Sequence, residues 1–158
     1  MHQTDLNDSR PQRQLNSRSQ PTWQPKHTHA RSAQGAELVL IRGLPGSGKS
    51  TIAKGMVADG FAHFEADMFF TVDGVYAYDA TRIRDAHAWC QQMTRQALRE
   101  GRRVVVSNTF TRLQEMEPYR TMGTNVRVVE ARGSWPNTHG VPAAMVERMA
   151  QRWELLPQ

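Results

Sequence analysis

The eight residues from Gly43 to Ser50 have the types and spacing of a phosphate-binding loop. They fit the pattern G-x-x-x-x-G-K-[S/T], the Walker A motif or P-loop. Its glycines let the backbone wrap around a polyphosphate, and successive N–H groups at a helix N-terminus then point at the phosphate oxygens. We therefore predict that this segment binds a nucleoside triphosphate, with ATP as the expected nucleotide. The residues expected to contact it are Gly43, Leu44, Pro45, Gly46, Ser47, Gly48, Lys49, Ser50 and Thr51.

Two side chains of this loop have chemistry of their own. Lys49 would place a positive charge on the β- and γ-phosphates, where charge develops during phosphoryl transfer. The hydroxyl of Ser50 would be a ligand of Mg²⁺. The sequence thus predicts ATP and Mg²⁺ as the cofactors and Lys49 as a catalytic residue.

A second candidate site lies beyond the loop, in the run from Glu65 to Phe70 that follows a predicted strand. A carboxylate at this point could accept the proton of an acceptor hydroxyl as it approaches the γ-phosphate, and Asp67 is the candidate base. The alternative is that Asp67 caps a turn or helix on a surface loop. Asn108, at the end of another predicted strand, could orient the acceptor or a water, or could have a structural role in a turn.

The residues around Asn108 narrow the class of P-loop protein. Many ATPases have an aspartate here that holds the metal through water, whereas Ser107, Asn108 and Thr109 are neutral. Magnesium would then rest on Ser50, the phosphates and water, which favours a small kinase over a motor protein. No Asn-Lys-x-Asp sequence is present to select guanine, which weakens a GTPase interpretation.

The elements that must position these residues alternate between strand and helix. This alternation predicts an α/β fold of the three-layer P-loop NTPase type, in which a mainly parallel sheet is flanked by helices. The predicted strands are 38–41, 61–66, 103–107 and 126–130; the predicted helices are 49–59, ended by Gly60, 83–97, ended by Gly101, a short helix capped by Thr111 with Gln114, and a last helix from about Pro142.

Composition divides the chain into a tail, residues 1–36, and one domain, residues 37–158. The tail has five Arg or Lys against two Asp and no apolar run longer than one residue, which predicts a disordered basic segment that could touch nucleic acid or have no function. The sequence shows neither a secretory signal nor a membrane span. The single cysteine, Cys90, excludes an intrachain disulfide and suggests a cytoplasmic location.

Beyond the loop, the order of motifs resembles that of polynucleotide 5′-hydroxyl kinase-like P-loop proteins. These include phage-type end-repair kinases and the kinase modules of some ubiquitin-ligase-binding proteins, with zeta-type toxins as more distant relatives. The likeness covers nearly all of 38–156 and rests on the segments 41–50, 66–70, 73–76, 86–89, 107–109, 115–119, 139–142 and 148–149. It implies transfer of the ATP γ-phosphate to a hydroxyl, with Asp67 at the position of the family's general base.

The chain departs from that family at three places. Met68 replaces a second aspartate, Ser107 replaces another, and the segment between the fourth strand and His139 is short. In the kinases, this segment forms a lid whose arginine clamps the phosphates; here Pro136 or Asn137 stands near that position. Arg132 is the one charge left, and it could stabilise the transition state or pair with Glu130 or Glu65.

Two histidines are further candidates for substrate contact. His139, at the exit of the short segment, could touch phosphate or substrate, or could cap the following helix. His87 lies off the apolar stripe of its predicted helix and could line the acceptor cleft, or pack against the preceding loop.

Three functions remain open from the sequence. The first is a small kinase acting on the 5′-hydroxyl of a nucleic acid or on a hydroxylated metabolite. The second is a nucleotide-binding module or slow ATPase that acts through a partner, and the third is a toxin-like kinase of a cell-wall sugar nucleotide. The sequence leaves the acceptor and the oligomeric state open, and no membrane partner is expected.

Overall fold

The computed structural model describes residues 36–123, 125–137 and 140–158. Apart from residue 36, the predicted basic tail lies outside these residues, as does His139. No helix in the described ranges is both long and apolar enough to cross a membrane.

Four parallel strands form the central sheet in the order β2-β5-β1-β6. Their bounds are β1 Leu38–Arg42, β2 Ala62–Phe64, β5 Val104–Asn108 and β6 Val126–Glu130. Helices connect them, as parallel strands require: α1 Lys49–Ala58, α2 Ile83–Arg99, α3 Glu117–Arg120 and, after the sheet, α4 Ala143–Gln151. The predicted α/β fold with a mainly parallel sheet is confirmed.

The two central strands, β1 and β5, are apolar on both faces because both faces are covered. Leu38, Leu40, Val104 and Val106 join the core cluster that packs against α2, whereas Val39, Ile41 and Val105 join the cluster that packs against α1. All seven side chains are fully buried. Each such burial stabilises the fold by about 1.5–3 kcal/mol, so this β-branched ladder is the rigid base of the loops above it.

Two sequence predictions need correction. The second strand ends at Phe64 instead of continuing to residue 66, because a 3₁₀ helix, Ala66–Phe70, begins there. Asn108 fixes that start, since its Oδ1 accepts the Ala66 N–H at 2.9 Å.

The predicted cap of Thr111 with Gln114 is also wrong by one residue. Glu115 accepts the Arg112 N–H at 3.0 Å, and a 3₁₀ helix begins at Leu113. The Thr111 carbonyl is already bonded by the Glu154 N–H at 2.9 Å, which holds Thr111 in the preceding loop.

A turn at Asp73 and Gly74 joins a two-stranded antiparallel hairpin, β3 Thr71–Val72 and β4 Val75–Tyr76. Both turn residues have positive φ, 51° and 78°, as a two-residue hairpin turn of type I′ requires. The hairpin folds the chain back over the 3₁₀ helix that contains Asp67.

The sheet places the predicted site residues at one edge. Arg42 at the end of β1 is in register with Asn108 of β5 and with Glu130 of β6. Because parallel strands end together, the loops after all four strands meet at the carboxyl edge, where ligands of open α/β sheets bind.

Candidate active site

The loop between β1 and α1 has the backbone shape of a phosphate cradle. Gly46 and Gly48 both adopt positive φ, 82° and 92°, which glycine tolerates and which turns successive N–H groups inward. The Ser47 hydroxyl is buried and has no hydrogen-bond partner among the described residues. A buried hydroxyl without a partner is unfavourable unless a ligand or water bonds it, so the loop fits an anion.

Lys49 is half-buried at the first turn of α1, where the helix N–H groups have no intrahelical partners. Its Nζ donates to the Leu44 carbonyl at 3.0 Å, across the mouth of the loop. Burial lowers the pKa of the Lys49 ammonium, and the Glu65 carboxylate opposes this effect by raising it. The lysine is therefore held beside the cradle, with the carboxylate that follows β2 nearby.

Asp67 lies in the 3₁₀ helix after β2, and the hairpin reaches it. The Tyr76 hydroxyl donates to Asp67 Oδ1 at 2.7 Å. Partial desolvation and this bond together raise the pKa of Tyr76 to about 12, so the phenol remains protonated and keeps donating. The carboxylate is oriented by a phenol from a hairpin that is otherwise exposed.

Asn108 is a positioning residue for that same 3₁₀ helix. Its Oδ1 bonds the Ala66 N–H, one residue before Asp67, and its Nδ2 approaches Cys90 Sγ of α2 at 3.8 Å. The side chain is 8% exposed, with both ends of the amide engaged. The structure thus supports the structural role considered above, and direct contact with an acceptor stays a prediction.

The side chains at the end of β5 are neutral, but the carboxylate of Glu65 lies beside them. Ser107 Oγ lies 2.6 Å from His63 Nε2 and donates to Glu65 Oε2 at 3.2 Å. The hydroxyl has one proton, so the imidazole N–H must donate to Ser107 and the hydroxyl must donate to Glu65. Burial lowers the pKa of His63 and the nearby Glu65 carboxylate raises it, and the Nε2–H can donate to Ser107 in either protonation state. Glu65, directly after β2, thereby lies beside the neutral residues at the end of β5.

The remaining predicted residues are placed as follows. Arg132 pairs with Glu130 Oε2 at 2.9 Å, and its side chain is 82% exposed. It therefore makes one of the two pairings considered from the sequence, and a role in the transition state stays a prediction. His87 is an exposed residue of α2 whose pKa is lowered by partial desolvation, with Glu115 opposing. Its contact with substrate is also untested.

The segment 132–137, here called the strap, lies directly on the P-loop. The Gly133 N–H donates to the Ser47 carbonyl at 3.0 Å, and the Trp135 N–H donates to the Gly46 carbonyl at 2.8 Å. These bonds use the carbonyls of Gly46 and Ser47 and none of the loop N–H groups. The strap is thus hydrogen-bonded to the P-loop, the predicted site of the phosphate donor.

The buried side chain of Arg42 connects the elements around the site. Its guanidinium donates to the carbonyls of Phe110, at 2.8 and 3.1 Å, and of Thr111, at 3.2 Å, and pairs with Glu130 at 3.4 Å. It also lies 3.9 Å from the centre of the Trp153 ring. One fully buried side chain thus links β1, the loop after β5, β6 and the C-terminal segment.

No group of three or more His, Cys, Asp or Glu side chains in the described ranges could hold a metal ion. This fits Mg²⁺, which is usually bound by one or two protein groups together with substrate phosphates and waters. Ser50 is half-buried in the first turn of α1, and its role as the Mg²⁺ ligand stays a prediction.

Comparison with protein families gives one match, described as an AAA domain, over residues 38–154. The chain belongs to this AAA domain family. Its relatives include human NEDD4-binding protein 2, 29% identical over 136 residues that make up 76% of this chain and 8% of the relative. An uncharacterised protein of Pasteurella multocida is 31% identical over 131 residues, 71% of this chain and 73% of that protein. The chain thus spans a small part of the human protein and most of the bacterial one.

Solved structures place this AAA domain among the P-loop kinases in fold. A gluconokinase from Sinorhizobium meliloti superposes with a TM-score of 0.53 at 18% identity, covering 77% of each chain. A chain of the Pnkp1/Rnl/Hen1 complex gives the same TM-score and identity, covering 84% of this chain and 43% of its own length. The protein therefore has the P-loop kinase fold.

Several site residues were not found from the sequence. Asp73 and Gly74 are a hairpin signal, and reading them so would have brought Tyr76 back toward Asp67. No local pattern points to Glu65 as the partner of Ser107, because the two are 42 residues apart and meet only through the order of strands.

Proposed function

We propose that this protein transfers the γ-phosphate of ATP to the hydroxyl of an acceptor, with Asp67 as the general base. The observation that supports this is the placement of a carboxylate, oriented by Tyr76, at the carboxyl end of β2, beside the P-loop edge of the same sheet. A protein that only binds ATP has no need of an oriented base at this point. The fold of gluconokinase and of the Pnkp1 complex agrees with the proposal.

Each residue has a role in this reaction. The loop N–H groups and Lys49 bind the β- and γ-phosphates and stabilise the charge that develops on them. Asp67 accepts the proton of the acceptor hydroxyl as its oxygen bonds to phosphorus and the bond to the β,γ-bridging oxygen breaks. Mg²⁺, held by Ser50, would neutralise phosphate charge. Glu65, fixed by Ser107, balances the charge of Lys49.

The acceptor is proposed to be a 5′-hydroxyl of nucleic acid or a small hydroxylated metabolite. The exposed hairpin around Tyr76 leaves the acceptor side open. An open side accommodates a chain end as well as a small molecule, so both classes belong in a test.

The alternative, a slow ATPase or nucleotide-binding module, is favoured by one observation. Arg132, the only charged side chain of the strap, pairs with Glu130 at the rim. Without a clamping arginine, water could take the place of the acceptor hydroxyl.

Lys49→Ala is expected to lower the rate of γ-phosphate release or transfer by about 10²–10³-fold, the usual cost of losing one preorganised charge on a transition state. Binding of ATP should weaken as well, measured by isothermal titration calorimetry. The matched control is Lys54→Ala, which removes an exposed lysine from the same helix. If both variants behave like the wild type, the P-loop does not carry the chemistry.

A further inference from the structure

The donor site has an exposed aromatic residue beside it, in the strap. Trp135 is 64% exposed, unlike the buried or half-buried aromatic residues Phe61, Phe70 and Trp89. Single exposed aromatic residues are common on protein surfaces, and Tyr76 and Tyr78 are also 52% and 56% exposed; Trp135 differs from them because its ring lies on the P-loop.

The indole ring of Trp135 packs against the backbone of two glycines, where no side chain blocks it. The six-membered ring lies against Gly48 and Gly133. A Cβ added at Gly48 would be 2.8 Å from Cζ3 of Trp135, and one added at Gly133 would overlap the ring. The strap bonds to Gly46 and Ser47 fix the backbone on both sides of this contact. The indole is thus held at the N-terminus of α1, next to the phosphate cradle.

The order of the strands indicates which part of a bound nucleotide should lie near Trp135. Asp67 follows β2, Trp135 follows β6, and the P-loop follows β1, which lies between them in the order β2-β5-β1-β6. In phosphoryl transfer, the attacking and leaving oxygens are roughly in line through the phosphorus. If the acceptor enters from the β2 side, the β- and α-phosphates leave toward β6, and the nucleoside follows them.

We propose that the indole of Trp135 is a stacking platform for the purine base of the bound nucleoside triphosphate. This rests on the proposed function, because the direction of the nucleotide is taken from the position of Asp67. Stacking on an open ring face requires no hydrogen-bond pattern of the base, so the platform would accept adenine and guanine alike. Its contact with the base would supply part of the nucleotide binding energy that a lid arginine supplies through the phosphates.

The test compares two ligands that share the cradle but differ in the base. Mg·ATP and magnesium tripolyphosphate are titrated by calorimetry into the wild type, Trp135→Ala and Trp135→Phe. The Kd for ATP should rise about 5- to 100-fold in Trp135→Ala, the range for loss of one base–aromatic stack. The Kd for tripolyphosphate should stay within about twofold, and Trp135→Phe should keep most of the ATP affinity.

Fluorescence gives a second readout. The chain has four tryptophans, so the signal of Trp135 is the difference between the wild type and Trp135→Phe. ATP should quench this difference signal, and tripolyphosphate should leave it nearly unchanged.

Three results would overturn the proposal. ATP affinity that does not change in Trp135→Ala excludes stacking. Equal loss for ATP and tripolyphosphate makes the ring a support of the P-loop instead of a base platform. A wild type that binds neither ligand refutes ATP binding itself, and with it the proposed function, which separates that failure from failure of the platform alone.

Discussion

Asp67→Asn is expected to lower phosphate transfer to the acceptor by about 10²–10⁴-fold, the range contributed by a general base. The amide keeps the size of the carboxylate and can still accept the Tyr76 hydroxyl, but it cannot take a proton from the attacking hydroxyl. Because the proposed role of Asp67 is on the acceptor hydroxyl and not on the nucleotide phosphates, the Kd for ATP should stay within about threefold. Single-turnover transfer from γ-labelled ATP measures the first quantity, and calorimetry measures the second.

Tyr76→Phe is the graded companion of this variant. It leaves the base in place and removes only the bond that orients it, at 2.7 Å in the structure. A hydrogen bond to a charged group contributes about 1.5–3 kcal/mol, so transfer should fall roughly 10- to 100-fold. Tyr78→Phe, which alters an exposed tyrosine just beyond the same hairpin, serves as the matched control. Full transfer by Asp67→Asn would make the assignment of the base wrong, whatever Tyr76→Phe does.

Arg42→Ala is expected to lower the free energy of unfolding by about 3–5 kcal/mol, as for other buried ionic networks that lose one partner. The buried carbonyls of Phe110 and Thr111 would lose their donors, and Trp153 would lose the guanidinium beneath it. Phe110 has a positive φ of 44°, a strained conformation for a non-glycine residue that the bonds from Arg42 help to hold. Urea unfolding followed by circular dichroism measures the change.

The matched control for Arg42 is Arg127→Ala. Arg127 pairs with Glu37 at 3.0 Å, but its side chain is 54% exposed, and such pairs contribute about 0–1 kcal/mol. Arg42→Lys should fall between the two, since a single ammonium cannot form the fork of bonds that the guanidinium makes. An Arg42→Ala protein within about 1 kcal/mol of the wild type would contradict the importance given to this network.

The fold could be predicted well from the sequence because its signals are local. The apolar runs of β1 and β5 are buried on both faces, and Gly60 and Gly101 end their helices with positive φ, 95° and 75°. The P-loop is likewise one contiguous pattern. Each of these features depends on neighbours within a few residues.

The rest of the site could not be predicted because it depends on which strands are neighbours. The contacts of Ser107 with His63 and Glu65 form only because β2 lies beside β5. The acidic partner of Ser107 therefore comes from the chain after a different strand. Trp135 reaches the P-loop because β6 lies beside β1. In the sequence, Arg42 is noticed only as part of the segment 41–50, which does not predict its buried network. Such contacts join residues 40 to 90 positions apart, for which a single sequence has no periodic signal.

The fate of the γ-phosphate tests the central claim most directly. Under single-turnover conditions with γ-labelled Mg·ATP, the wild type is offered 5′-hydroxyl DNA, 5′-hydroxyl RNA, nucleosides and sugars, with Lys49→Ala as the blank. The proposed kinase should place label on at least one hydroxyl acceptor faster than on water, and the blank should do so about 10²–10³-fold more slowly. Label that appears only as free phosphate across the panel, at a rate no acceptor changes, would contradict the kinase and leave the slow ATPase.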